Sequence, residues 1–256
     1  MPRPFYLIGH NPNKVDEALR CLADGANALE PDVCYDSDTN SFSVHEQLPL
    51  LPKWLSKWFY GGVPLTDYLA QVADYLANTP SANLALLAFD LKEPYTYDIN
   101  LLLGLVKSHF SDRFPGVSIL TTVSTSEGMQ FLAKAAAQRP TDFVGVDEYL
   151  PPDEVFGFFQ ATGLRYTYAN GTSVPLIPTT RYVTDISRAL ALRNSNPANG
   201  GPKLVYAWTV NSESSMRTYL DMDVDGLITD NIPALLQLLK TDYADRYTLA
   251  APVAGP

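Results

Sequence analysis

Short apolar runs alternate with amphipathic stretches along almost the whole chain. The runs are continuously apolar, which is typical of strands that are buried on both faces of a sheet. They predict eight strands, at residues 5–9, 26–33, 83–90, 117–122, 142–147, 163–168, 203–209 and 225–229.

The stretches between these runs have the periodicity of helices. Apolar residues recur in them at spacings of three and four, as Val15, Leu19 and Leu22 do. They predict eight helices, at residues 13–24, 65–77, 97–112, 125–138, 152–161, 180–194, 212–222 and 231–241. Strands that alternate with helices indicate an all-parallel α/β fold, and their number favours a (β/α)₈ TIM barrel over an open doubly wound sheet.

The chain has 256 residues, which suits a single (β/α)₈ barrel domain of about 250 residues. An insertion and the turn-rich loops 169–179 and 195–202 interrupt the alternation. Residues 35–64 are an insertion after the second strand, with a short hairpin predicted around Phe42–His45. The tail after about residue 246 is small and rich in proline, so we expect it to fray.

Charge and composition exclude several classes of partner. The formal net charge is −10 and no run of Lys or Arg stands out, so nucleic acid is excluded as a partner and strongly anionic membranes are disfavoured. Zwitterionic lipids and divalent cations suit this charge. No apolar stretch is long enough to predict a transmembrane segment, and the apolar run at the N-terminus is too short for a signal peptide. Cys21 and Cys34 are either two free thiols or one disulfide.

The strongest local signal for chemistry is Glu30-Pro31-Asp32, at the end of the second predicted strand. Residues two apart on a strand point to the same face, so two carboxylates would lie side by side at the barrel mouth. Such a pair repels unless one carboxyl is protonated or a cation lies between them. A hard divalent cation such as Mg²⁺ suits the pair; two solvated acids on a loop are the alternative.

Asp90 ends the third predicted strand after a very apolar run, and Lys92 follows two residues later. On one face of the strand, the two residues suit a metal ligand beside a phosphate-binding cation. A plain salt bridge fits the same spacing.

Histidine occurs only three times. His10 ends the first strand and His45 lies in the insertion after the second, so both fall on the barrel face that carries the acids. Two histidines beside a metal-bound phosphate can serve as nucleophile or base and as general acid. His109 lies in a predicted helix and is expected at the surface.

Other active-site patterns are weaker. The sequence has no Cys/His spacing for zinc, no GxSxG elbow, no glycine-rich phosphate loop and no dinucleotide fingerprint. A two-carboxylate glycosidase stays open, because Asp147 and Glu148 end the fifth strand. That interpretation would leave His10 and His45 without a role.

Six segments together resemble a known family: IGHNPNKVDEAL, GANALEPDVCYD, SVHEQ, AFDLKEP, YAWTV and DVDGLITDN. Their order and spacing are similar to the glycerophosphodiester phosphodiesterase superfamily, and more closely to its phospholipase D/sphingomyelinase D branch. That branch includes recluse-spider venom toxins and enzymes of fungi and actinobacteria. The actinobacterial phospholipases D directed at lysophospholipids or lysoplasmalogens are as similar as the toxins.

The resemblance implies a role for each candidate residue. Glu30, Asp32 and Asp90 would bind Mg²⁺, with Ca²⁺ as the alternative, and His10 and His45 would be the catalytic pair. The implied substrate-binding residues are Lys92, Asp147, Tyr206, Trp208 and Asp230. Tyr206 and Trp208 also suit a plain buried barrel face.

The chain departs from the toxin pattern in two places. Asp230 occupies a position that is often asparagine in the toxins. The loop after His45, EQLPLLPKWLSKWFYGG, has no cysteine, whereas the toxins have a cysteine-linked loop there. Its apolar residues, Trp54 and Trp58 among them, are predicted either to contact acyl chains or a membrane surface, or to cover the barrel mouth.

The implied function is a metal-dependent phospholipase D acting on lysophosphatidylcholine, lysoplasmalogen or sphingomyelin. It would release choline or ethanolamine, either by direct attack of a histidine on phosphorus or through a cyclic phosphate. The resemblance also implies a secreted protein, and we expect a monomer. A glycerophosphodiesterase for deacylated head groups and a non-catalytic lipid- or sugar-binding barrel are the alternatives.

Overall fold

Parallel strands close into a barrel that helices surround, which confirms the predicted (β/α)₈ fold. The computed structural model describes residues 2–46, 62–93, 95–134, 141–147, 150–172, 182–196 and 200–253. Its strands are β1 Arg3–His10, β2 Ala28–Glu30, β3 Asp32–Asp36, β4 Ser41–Val44, β5 Val63–Pro64, β6 Leu86–Leu91, β7 Ser118–Val123, β8 Phe143–Val146, β9 Tyr166–Gly171, β10 Leu204–Trp208, β11 Gly226–Thr229 and β12 Tyr247–Leu249. The barrel runs β1, β2, β6, β7, β8, β9, β10, β11 and closes through the parallel pairing of β11 with β1.

Amphipathic helices cover the outside of the barrel and bury their apolar faces against it. They are α1 Val15–Ala23, α2 Leu65–Asn78, α3 Ile99–Val106, α4 Ser126–Leu132, α5 Pro152–Thr162, α6 Val183–Ser195, α7 Glu213–Asp221 and α8 Ile232–Thr241. Side-chain caps fix several starts: the Asp98 carboxylate accepts from the amide of Asn100, and the Ser212 hydroxyl accepts from that of Ser215. Such caps satisfy amides that have no partner within a helix.

The period-two alternation of the strands divides the apolar residues into two groups. Outward-facing residues such as Leu7, Leu29 and Phe89 join the helices in the large outer core. The inward-facing residues form a separate, smaller cluster within the barrel: Ile8, Ala28, Leu86, Ala88, Leu120, Phe143, Ala169, Tyr206 and Ile228. This inner layer fills the barrel beneath its mouth.

Pro31 divides the second barrel strand into β2 and β3. Without an N–H, proline cannot donate to a ladder, and pairing with β1 ends at Glu30. The chain then continues beside β6, with Asp32 opposite Asp90. β3 turns back into β4 as an antiparallel hairpin, which confirms the hairpin predicted around Phe42–His45, and β5 pairs with β4.

Gly171, at the end of β9, allows the backbone of β10 to come very close. A Cβ at this position would lie 1.4 Å from the carbonyl oxygen of Trp208. No side chain fits in that space, so only glycine permits this approach at the barrel mouth.

Two expectations need correction. The tail does not fray over its described part, because β12 pairs with β1 and the Ala250 carbonyl accepts from the amides of Asn27 and Asn83. The helix predicted at 97–112 is α3 followed by a π-helix at Lys107–Ser111, on which His109 is exposed as predicted. Within the described ranges, no helix has the length and apolar character needed to cross a membrane.

Candidate active site

The alternation that builds the inner layer also brings polar side chains to the barrel mouth. His10 follows Ile8 on the inward face of β1, as Glu30 follows Ala28 and Asp90 follows Ala88. The inward positions at or just past the carboxyl ends of the strands are His10, Glu30, Asp90, Thr122, Asp147, Trp208 and Asp230. Residues at this end of a (β/α)₈ barrel form the active site in essentially every known case.

Three buried carboxyl groups converge in this ring. One oxygen each of Glu30, Asp90 and Asp147 lies within 4.8 Å of the others, although the three residues are only 6%, 9% and 8% exposed. The Oδ1 atom of Asp90 has no hydrogen-bond partner in the described part of the chain. A buried, unpartnered carboxylate oxygen beside two further carboxyl groups fits a hard divalent cation, which prefers oxygen ligands.

Asp32 lies next to this group but has other partners. Its Oδ2 accepts from the side-chain amide of Asn13 at 3.1 Å, and its own backbone amide donates to Asn13 Oδ1 at 2.8 Å. Its Oδ1 lies 3.0 Å from Nζ of Lys92, which also bonds to Oδ2 of Asp90. Lys92 therefore bridges two of the three acids that were predicted as metal ligands, and their ligation stays a prediction.

The excess of negative charge at this mouth shifts several pKa values. Burial raises the pKa of Glu30 well above its usual range, and the charges of Asp90 and Asp32 raise it further. Burial and Asp90 together hold the pKa of Asp32 at about 6, although Lys92 lowers it. Burial lowers the pKa of Lys92, but the surrounding carboxylates outweigh this effect and keep that pKa well above its usual value. The lysine is thus a cation among groups that repel one another.

His10 is held by a carboxylate. Its Nδ1 lies 2.8 Å from Oδ1 of Asp230, just beyond the point where Gly9 of β1 pairs with Thr229 of β11. Asn211 donates to the other carboxylate oxygen at 2.6 Å and accepts from the backbone amide of Asp230 at 2.8 Å. Both oxygens of Asp230 therefore have defined partners.

His45 lies at the end of the β3–β4 hairpin and is only 5% exposed. Its backbone amide donates to the Asp32 carbonyl at 3.3 Å, and its Nδ1 lies 3.2 Å from the hydroxyl oxygen of Ser43. The hairpin thus joins His45 to β3, the strand that carries Asp32. Both histidines predicted as the catalytic pair lie on the barrel face that carries the acids.

An aromatic cluster supports this hairpin from outside. The ring centroid of Tyr97, in the loop after β6, lies 4.8 Å from that of Tyr35 on β3 and 4.9 Å from that of Phe42 on β4. The ring centroid of Phe131, on α4, also lies 4.9 Å from that of Tyr97. Such pairs stabilise beyond the area they bury, so packing as well as pairing fixes the position of His45.

The two aromatic residues of β10 lie at different depths. Trp208 is partly exposed, and its Nε1 donates to the carbonyl of Asp147, which fixes the indole beside the acids. Tyr206 is only 3% exposed and belongs to the inner layer. Burial raises the pKa of the Tyr206 phenol, and the nearby carboxylate of Asp147 raises it further.

Most of the predicted site residues therefore meet at one mouth. Trp54 and Trp58, predicted to contact substrate, lie outside the described residues, as does Glu148. Asn13, Asn211 and Ser43 contact predicted site residues, although no pattern in the sequence singles them out. Both asparagines lie just past the end of an inner strand, which is the signal that could have drawn attention to them.

Comparison with known sequences covers nearly the whole chain. The family model described as Dermonecrotic toxin SPH matches residues 1–100 and 144–256, which include every predicted site residue. A dermonecrotic toxin of Loxosceles laeta is 27% identical over 276 residues, covering 96% of this chain and 96% of the toxin. A dermonecrotic toxin of Sicarius peruensis is 25% identical over 280 residues, covering 98% of each chain.

Comparison with solved structures gives the same fold. The crystal structure of a glycerophosphodiester phosphodiesterase from Parabacteroides distasonis superposes with a TM-score of 0.66 at 15% identity, covering 95% of this chain and 100% of that one. At such low identity the similarity shows the architecture. It agrees with the strand order and closure described above.

Proposed function

We propose that this chain, which belongs to the Dermonecrotic toxin SPH family, is a metal-dependent phospholipase D for lysophospholipids or sphingomyelin. The family assignment confirms the predicted enzyme class, a phosphoric diester hydrolase. The observation that carries the proposal is the meeting of two histidines, a lysine and buried carboxyl groups at one barrel mouth. Acid–base groups beside a cation-binding acid cluster suit the displacement of an alcohol from a phosphodiester.

Glu30 and Asp90 would hold the metal together with Asp32, as the family resemblance implies, and Asp147 is a further carboxylate within reach. Mg²⁺ is the proposed ion and Ca²⁺ the alternative, since both prefer carboxylate oxygens. Bound there, the ion would neutralise the acids and withdraw charge from a phosphoryl oxygen. Lys92, which contacts Asp32 and Asp90, would bind the same phosphate as a second positive charge.

One histidine starts the displacement and the other completes it. If the substrate has a suitably placed hydroxyl, as lysophospholipids and sphingomyelin do, the first histidine takes its proton. The hydroxyl oxygen then bonds to phosphorus while the bond from phosphorus to the head-group oxygen breaks. The second histidine donates a proton to the departing choline or ethanolamine oxygen, which leaves a cyclic phosphate.

In the other route the first histidine bonds to phosphorus directly. The same phosphorus–oxygen bond breaks, and the second histidine again protonates the leaving alcohol. Water later displaces the histidine from phosphorus and releases the lipid phosphate. The two routes differ in their product, which is cyclic in the first and linear in the second.

The net charge, the apolar loop and the family resemblance support the proposed substrates and the proposed place of action. The net charge of −10 disfavours anionic membranes and suits zwitterionic choline or ethanolamine lipids. The apolar loop with Trp54 and Trp58 is proposed to contact acyl chains at a membrane or micelle surface. By resemblance to the family, we propose a secreted protein that acts as a monomer.

Trp208→Ala is expected to lower kcat/KM for choline substrates more than for ethanolamine substrates. The partly exposed indole is held beside the acids by its bond to Asp147, and an aromatic face attracts a quaternary ammonium. We expect the ratio of kcat/KM values for lysophosphatidylcholine and lysophosphatidylethanolamine to fall by about 2- to 30-fold. Trp208→Phe, which keeps an aromatic face, should retain part of the preference. An equal loss for both head groups would remove the cation–π argument.

The proposed function is tested by measuring release of choline or ethanolamine from sphingomyelin, lysophosphatidylcholine, lysoplasmalogen and glycerophosphocholine, with product masses. We expect release that a chelator stops and Mg²⁺ restores. A preference for the acylated lipids would support phospholipase D, whereas a preference for glycerophosphocholine would support the glycerophosphodiesterase alternative. No release from any of the four would favour a non-catalytic binding barrel.

A further inference from the structure

The turn formed by Asn11, Pro12 and Asn13, just past the end of β1, is held rigidly at the barrel mouth. Asn11 has a φ of 42°, in the left-handed region that asparagine tolerates better than most residues. The backbone amide of Asn13 donates to the Asn11 carbonyl at 2.7 Å, and the ring of Pro12 between them fixes its own φ. The hydroxyl of Tyr68, which is fully buried on α2, donates to the Pro12 carbonyl at 3.0 Å. The turn is thus closed by its own hydrogen bond and tied to the core.

Three nitrogen atoms of this turn face the carboxylates of Glu30 and Asp32. The backbone amide of Asn11 donates to Oε2 of Glu30 at 3.3 Å. One end of the Asn11 side-chain amide lies 3.3 Å from Oε2 of Glu30 and 3.3 Å from Oδ1 of Asp32, so its nitrogen belongs there, and its oxygen then faces donors. The side-chain nitrogen of Asn13 donates to Oδ2 of Asp32 at 3.1 Å, and its oxygen accepts from the backbone amide of Asp32 at 2.8 Å.

These bonds limit how the two carboxylates can present themselves to a cation. Two N–H groups of Asn11 face Oε2 of Glu30, which leaves Oε1 for an ion. On Asp32, Lys92 and Asn11 face Oδ1 and Asn13 donates to Oδ2, so this group cannot turn to grip an ion through both oxygens. Mg²⁺ demands near-ideal octahedral geometry, whereas Ca²⁺ accepts more oxygens in flexible arrangements, often both oxygens of one carboxylate. Carboxylates held in this way favour Mg²⁺.

We propose that the turn of Asn11, Pro12 and Asn13 is a positioning element that makes the barrel mouth select Mg²⁺ over Ca²⁺. It does so by holding Glu30 and Asp32 with one oxygen each toward the ion. The inference rests on the metal site of the proposed function. Both asparagines act through the carboxylates that they orient, and removing such a partner of a metal ligand typically weakens metal binding by about 10- to 100-fold.

Asn13→Ala and Asn11→Gly remove the two side-chain amides separately. Glycine at position 11 keeps the left-handed backbone and its N–H, so this variant tests the side chain alone. We expect the Kd for Mg²⁺, measured by calorimetry on the metal-free protein, to rise by about 10- to 100-fold in each variant. The Kd for Ca²⁺ should rise less, because Ca²⁺ tolerates looser ligands, so the ratio of the Ca²⁺ to the Mg²⁺ value should fall by at least about 3-fold.

Tyr68→Phe tests the turn without removing any donor to the acids. It deletes the hydroxyl that holds the Pro12 carbonyl, so the Kd for Mg²⁺ should rise in the same direction by about 2- to 10-fold, the typical effect of one hydrogen bond. Asn78→Ala is the matched control. Asn78 is exposed at the end of α2, where its side-chain nitrogen donates to the Asp74 carbonyl at 2.8 Å, so both Kd values should equal those of the wild type.

The inference is overturned if Asn13→Ala and Asn11→Gly bind Mg²⁺ as the wild type does. An equal rise in both Kd values also overturns it, since removal of a ligand, rather than loosening of the other ligands, would weaken both ions alike. Should either asparagine variant fail to fold, Tyr68→Phe decides the question in the same way. Wild-type protein that binds neither ion would remove the metal site and the inference with it. Wild-type protein that binds Mg²⁺ but cleaves no phosphodiester would remove the proposed function and leave the inference standing.

Discussion

Replacing His10 or His45 with alanine is expected to lower kcat by at least about 10³-fold for each lipid that the wild type hydrolyses. Acid–base catalysis by one positioned group typically contributes about 10²- to 10⁴-fold, and a nucleophile contributes more because no other group replaces it. The measurement is head-group release under single-turnover conditions, which separates chemistry from product release.

The two substitutions differ in their effect on the fold. His10 is partly exposed, with a side chain that is 18% accessible, so its loss should change the melting temperature little. His45 is buried within the hairpin, so alanine there also removes packing. His45→Gln, which fills more of the space, is the better test of chemistry.

His109→Ala is the matched control for both variants. This histidine is exposed on the π-helix after α3 and is outside the site, so activity and melting temperature should match the wild type. Near-wild-type turnover in His10→Ala or His45→Gln would remove that residue from the mechanism. A large loss in His109→Ala would show that the assay reports general damage.

The architecture could be predicted because its signals are local. Strands that are buried on both faces give continuous apolar runs, and the amphipathic helices between them give spacings of three and four. The same alternation predicts that His10, Glu30 and Asp90 share one face, since each follows an inward apolar residue by two positions. These side chains meet in the structure as their spacing requires.

What could not be predicted depends on partners far away in the sequence. In the chain, a helix and a strand separate Asn211 from Asp230, and a helix and a strand likewise separate Asn13 from Asp32. An asparagine after a strand has the same local signal whether it caps a helix, forms a turn or orients a carboxylate. The short strand at the tail was missed for a similar reason, because its partners at Arg3–Phe5 lie at the other end of the chain.

The balance of charge between the acids and Lys92 likewise could not be predicted from the sequence, because it depends on which strands bring their acids together. The spacing of Asp90 and Lys92 fits a salt bridge as well as a metal ligand beside a phosphate-binding cation, and the structure contains the salt bridge. It also brings Asp147, from a different strand, to Glu30 and Asp90. A single lysine therefore faces more negative charge than it can neutralise, which is the physical reason to expect a bound cation at this mouth.

Glu30→Gln is expected to remove Mg²⁺ binding and turnover while making the metal-free protein more stable. Glu30 is buried among like charges, and its pKa is raised, so a neutral amide relieves repulsion that the wild type relieves only with a cation or a proton. Removing a group that only hydrogen-bonds to a metal ligand typically costs about 10- to 100-fold in activity. Because Glu30 is proposed to bind the metal itself, the loss of kcat/KM in Glu30→Gln should be larger than that. Calorimetry with Mg²⁺ and activity assays measure the two losses separately.

The stability gain has a defined dependence on pH. A carboxyl group whose pKa is raised on folding contributes stability below its unfolded pKa, about 4.3 for Glu, and loses it as the pH rises toward the folded value. Metal-free wild type and Glu30→Gln should therefore have similar melting temperatures near pH 4, and the variant should gain an advantage that grows toward pH 7. Saturating Mg²⁺ should reverse the order, since a ligand at 100 times its Kd stabilises by about 2.7 kcal/mol and the variant lacks the site.

Asp153→Asn is the matched control, because it also removes one negative charge. Asp153 is exposed and paired with Arg188, and this pairing lowers its pKa. Its neutralisation should bring no stability gain in the metal-free protein and should leave the response to Mg²⁺ unchanged. If Glu30→Gln still bound Mg²⁺ like the wild type, Glu30 would not be a ligand. If metal-free Glu30→Gln were less stable than the metal-free wild type at pH 7, the acids at this mouth would not destabilise the protein by repulsion. Repulsion would then no longer be a reason to expect a bound cation there.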